Sequence, residues 1–153
     1  MKNFKQMLKL AGILCFGIAV FQATIGFSPS LSLYFGAPEA LVKNIYALIF
    51  MSFLVAGILT IFGFYALSGA GYIRKLPLLK QMLVVISCIY ILRGLLLVPE
   101  ILVVIGAFDS AIPVAPRFVI FSIGSLLIGL IFIVGTIGGW NALSLTDKNI
   151  VQQ

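Results

Sequence analysis

Long apolar runs separated by short polar intervals make up most of the chain. The runs cover residues 10–27, 45–67, 82–108 and 118–139. A hydrocarbon core about 30 Å thick is crossed by about 20 helical residues, each rising about 1.5 Å. Lipid offers the backbone no water, so each crossing segment must satisfy its own N–H and C=O groups, which a helix does within a single segment. The pattern predicts an all-α membrane protein: a four-transmembrane-helix bundle built from two helical hairpins, with residues 1–153 forming one integral membrane domain.

The polar intervals orient this bundle. With four crossings, the amino terminus, the middle interval and the carboxyl terminus share one side. Lys2, Lys5, Lys9, Arg74, Lys75, Lys80 and Lys148, most of the ten basic residues, fall there. The opposite intervals hold Lys43 and Arg117 beside Glu39 and Asp109. Positively charged short loops stay in the cytoplasm, so both termini are expected to be cytoplasmic and the protein to sit in a cell inner membrane. Arg74, Lys75 and Lys80 are then expected to meet anionic lipid headgroups, with Tyr72 and Trp140 in the aromatic belt on the same side. The basic start imitates an export signal, but Phe21-Gln22-Ala23 puts a bulky ring where cleavage needs a small residue, which favours an uncleaved first span.

Local signals set the element ends. Gly69 and Gly71 are expected to stop the second helix, and Pro77 to open the third. Ala37-Pro38-Glu39 has the form of a helix start, so the second span is expected to begin as a helix near Pro38. The apolar stretch 27–36 is expected to lie in the interface or over the bundle. The two halves are weakly alike: Lys5-Gln6-Met7-Leu8 matches Lys80-Gln81-Met82-Leu83, and Ala37-Pro38 matches Ala115-Pro116. A parallel duplication would direct attention to the seam between the hairpins.

Composition removes several functions. Hydrophobic residues are 62% of the chain and charged residues 9%, against about 25% charged in soluble domains. The formal charge of +6 does not imply nucleic acid, because the basic residues sit at run ends and form no groove-binding patch. Histidine is absent, which removes the commonest general base and metal ligand. Cys15 and Cys88 have no C-x-x-C spacing, and no G-x-S-x-G, H-E-x-x-H or phosphate-loop motif occurs. The sequence therefore predicts no enzyme, no cofactor and no metal.

Arg93 is the residue that most needs a partner. It lies about 20 Å along its helix from Lys80, near the midplane, where an arginine costs about 2.5–3.5 kcal/mol on insertion scales. Glu100 shares its face, but on a regular helix their Cα atoms stand about 10.5 Å apart, and an arginine side chain leans toward the helix amino terminus. A direct bridge is expected only if Pro99 breaks the helix. Gln22 stands at matching depth after Lys9, and Ser52 and either Ser122 or Ser125 fall in the same layer. The expectation is an intramembrane polar cluster of Gln22, Ser52, Tyr90, Arg93, Glu100 and Ser125. Its roles are interhelical glue with an outward-snorkelling arginine, a site for a small anionic or amphipathic molecule, or an ion path.

Two functional classes follow. The first is a non-enzymatic binding or accessory protein that holds a lipid, a small amphipathic ligand or a membrane partner in its bundle. The second is a subunit of a channel or small-solute transporter, which at four spans must form a homo-oligomer to enclose a path. Few polar residues line any single helix, which favours the first.

Overall fold

The computed structural model of the protein describes residues 3–106, 116–141 and 143. Lys2, Asp109, Ala115, Asp147, Lys148 and the end of the third apolar run lie outside them. Among the described residues seven helices have defined bounds, in chain order: α1 (Asn3–Ile25), α2 (Pro29–Tyr34), α3 (Glu39–Val42), α4 (Ile45–Ala70), α5 (Leu79–Leu95), α6 (Leu97–Val104) and α7 (Pro116–Gly138). Among the described residues four segments are long and apolar enough to cross a membrane: α1, α4, α5 with α6, and α7 from Phe118. No strand occurs among the described residues. The protein is all-helical, with the character of a multi-pass membrane protein.

The ends of the elements follow from local chemistry. Gly71, at φ 81°, stops α4 in the left-handed conformation. Its N–H bonds the Ser68 carbonyl, and the Tyr72 N–H bonds the Leu67 carbonyl, a Schellman ending that satisfies two carbonyls otherwise left over. Ser68 then ties down the connection: its hydroxyl donates to the Arg74 carbonyl and accepts from the Leu76 N–H, both at 3.0 Å. Pro77 does not open the next helix. Leu78 intervenes at φ 54° and α5 starts at Leu79. The second span also departs from expectation. The Pro38 start gives only α3, and Asn44 restarts the chain by accepting the Ala47 N–H at 3.3 Å, an N-cap that begins α4 afresh.

Between lipid-embedded helices there is no hydrophobic driving force, so dispersion contacts and close backbone approach decide the packing. α1 lies along α4, α5 along α7, and α7 also against α1. Small residues line these seams. A Cβ on Gly12 would lie 3.2 Å from the Gly63 carbonyl, and one on Gly26 would collide with Ser52. On the other side Gly94 meets the backbone of Leu126, Gly129 meets Ile91 and Gly135 meets Leu8. The centre is filled by Leu8, Ala11, Cys15, Leu83, Ile86 and Phe132, all buried.

Candidate functional site

The third span is interrupted where its charges lie. Pro99 has no N–H to give the Leu95 carbonyl, and α5 ends at Leu95. The chain turns at Leu96 and resumes as α6, with Pro99 in its first turn, where a missing donor costs nothing. Glu100 and Arg93 meet across this interruption. Arg93 Nη1 stands 3.4 Å from Glu100 Oε1 and donates to Ser122 Oγ at 2.8 Å. The Ser122 hydroxyl in turn donates to Glu100 Oε2 at 2.5 Å. Ser122, fully buried on α7, thus accepts from the cation and donates to the anion, which locks α5, α6 and α7 together.

This triad borders an open cleft. A cavity of about 550 Å³ between α1, α5 and α7 is lined by Gln22, Arg93, Gly124 and Ser125 among apolar neighbours. The Arg93 side chain is 40% exposed and that of Glu100 13%, and Arg93 lines the cleft while Glu100 does not. The described hydrogen bonds of Arg93 use only Nη1. Phe35 closes the far side, its ring packed edge-on to Phe21 at 5.2 Å and tilted on Phe121 at 5.5 Å. The 27–36 stretch therefore covers one end of the bundle. Gly36, at φ 96°, follows with the Phe118 ring against it.

The six residues expected in one cluster are divided among three places. Arg93, Gln22 and Ser125 share the cleft, and Glu100 reaches it through Arg93. Ser52 is buried on α4 beside Gly26 and lines a separate cavity of about 310 Å³, which shares the Gln22 and Phe35 wall. Tyr90 belongs to the core. Its ring stacks on Phe132 at 5.8 Å and its hydroxyl meets the buried Cys15 Sγ at 3.4 Å, because it stands about 60° around the helix and about 4.5 Å along it from Arg93. Ser122, and not Ser125, supplies the hydroxyl between the charges. Phe35 carried no polar signal that would mark it as a wall of the cleft.

The opposite end of the bundle is basic. Lys9 Nζ stands 4.8 Å from the centre of the Tyr72 ring, and Lys80 Nζ 3.6 Å from the centre of the Trp140 ring. Arg74 and Lys75 are exposed on the connection between α4 and α5. Among the described residues no cluster of histidine, cysteine, aspartate or glutamate could hold a metal ion. Comparison with family models, with curated proteins and with solved structures finds no match to the chain.

Proposed function

We propose that the chain is a non-enzymatic binding protein of the inner membrane that holds a lipid or small amphipathic molecule in the Arg93 cleft. In this reading two helical hairpins, α1 with α4 and α5–α6 with α7, cross the bilayer and leave both termini in the cytoplasm. Arg74, Lys75 and Lys80 then meet anionic headgroups on the cytoplasmic face. The observation that carries the reading is an arginine at membrane depth that lines an open, mostly apolar cleft with donors beyond those its protein partners use. Intramembrane charge of this kind marks function more often than packing. Glu100 already balances the charge, so an occupant need only bring a hydrogen-bond-accepting head and an apolar body.

Gly124 provides the test. It lines the cleft, and a side chain there meets open space. Replacing a mid-helix glycine by leucine also favours the helix by roughly 0.8 kcal/mol. The Gly124→Leu protein should keep or gain thermal stability while losing an amphiphile seen by native mass spectrometry on the wild-type protein released from nanodiscs. A wild-type protein that carries no adduct, or a variant that retains the same one, overturns the proposal.

A further inference from the structure

The Arg93 cleft adjoins a second chamber. The cavity of about 310 Å³ lies between the end of α1, α2, α3 and the start of α4. Gln22, Ile25, Phe35 and Gly36 line both it and the cleft of about 550 Å³, and both volumes suit small molecules. The described lining of the smaller chamber has no charged side chain; its polar side chains are Gln22, Ser32 and Ser52. Ser32 is already engaged, since its hydroxyl donates to the Ile25 carbonyl at 2.8 Å. Ser52 is not. The hydroxyls of Thr24, Thr60 and Ser87 each bond the carbonyl one turn earlier in their own helix. Ser52, only 4% exposed, enters none of the described hydrogen bonds, although buried hydroxyls normally have a partner. Thr136 Oγ1 lacks one too, but it is sealed from any surface, and no other described side-chain oxygen is both sealed and unpartnered. The Ser52 oxygen therefore keeps a little surface, and what the residue lines is this chamber. Gln22, half-buried on α1, likewise gives its amide to no described bond, although a primary amide offers two donors and an acceptor.

We infer that the smaller chamber takes the hydroxylated head of the molecule held in the Arg93 cleft, an uncharged single-chain amphiphile such as a monoacylglycerol. The chamber serves this role only if the cleft binds a molecule as proposed above. The ester carbonyl accepts from Arg93, the chain lies among the apolar residues of the cleft, and the glycerol hydroxyls pass Gln22 to reach Ser52. Hydroxyls suit the chamber because each donates and accepts, as the serine and the amide do. A charged head does not suit it: no described side chain of opposite sign lines the chamber, and Glu100 already balances Arg93.

The full-length protein is placed in nanodiscs of phosphatidylcholine, which carries no hydroxyl. The discs are doped with monoolein or with methyl oleate, which shares the chain and the ester but has no hydroxyls. Adducts on the released protein are followed by native mass spectrometry as the dopant is raised. The wild type should bind monoolein about tenfold more tightly than methyl oleate, the gain of one or two hydrogen bonds. Ser52→Ala should weaken monoolein about fivefold and leave methyl oleate unchanged. It should also keep the wild-type unfolding temperature, because the hydroxyl has no described protein partner to lose. Gln22→Met, close in shape, should narrow the preference in the same way, and Gly124→Leu should lose both lipids. If neither lipid binds the wild type, the cleft fails as a site and the head chamber with it. Equal binding of the two, both lost in Gly124→Leu, supports the cleft and overturns the head chamber. A preference that survives Ser52→Ala and Gln22→Met overturns it equally.

Discussion

A single buried hydroxyl holds the charged residues of the third span in register. Ser122 accepts from Arg93 and donates to Glu100 Oε2, so its removal takes one hydrogen bond from each charge, strips Oε2 of its donor and leaves only the direct 3.4 Å ion pair. Ser122→Ala should cost ~1–3 kcal/mol in thermal unfolding in detergent, the range for a buried group left unsatisfied. Ser125→Ala, at the half-buried neighbour in the cleft, should fall within about 0.5 kcal/mol of the wild type. Arg93 and Glu100 were legible in the sequence, because charge within an apolar run is conspicuous. The choice of serine was not. Residues three apart on a helix differ by about 60° in direction, and depth counting fixes height along the bundle but not that angle. Thr136 was illegible for another reason: its distinction is a bond it does not make, which only coordinates reveal.

At the scale of elements, glycines and prolines announced where helices end but not how they restart. Gly71 stops α4 as its position implies. Pro77 failed as a start signal because Leu78 adopts a left-handed turn before α5, and no sequence pattern marks a leucine for that conformation. A non-glycine residue there stores about 1–2 kcal/mol of strain. Leu78 is 59% exposed, so little packing offsets it. Leu78→Gly should raise stability by about 0.5–1 kcal/mol once the greater entropy of the unfolded glycine is subtracted, measured as a higher unfolding midpoint. The separation of α3 from α4 has the same origin. Asn44 is a strong cap, yet from sequence it competes with the equally good start at Pro38, and the chain uses both.

For the molecule as a whole, the lengths and apolarity of the four spans were plain, whereas their neighbours were not. Helices apolar on every side carry no amphipathic stripe to point at the core, so the α1–α4, α5–α7 and α1–α7 seams emerge only from where small residues meet. The glycines on these helices differ sharply in what surrounds them. A side chain on Gly94 would press within 2.8 Å of the Leu126 Cα, whereas one on Gly57 meets nothing within 4 Å. Gly94→Leu should destabilise by about 3 kcal/mol or prevent assembly. Gly57→Leu should be neutral or mildly stabilising. Equal losses at the two positions, followed by thermal unfolding in the same detergent, would mean that α5 and α7 are not packed as described.

The interruption at Leu96 has a consequence for biogenesis. Glu100 and Arg93 pair across it within one stretch of chain, so the opposing charges cancel without help from any later segment. The nascent third span can enter the bilayer as a neutral unit, its most expensive residue already matched. Only the serine contact waits for the fourth helix to arrive, and that helix docks onto a preformed dipole and never has to rescue a bare cation.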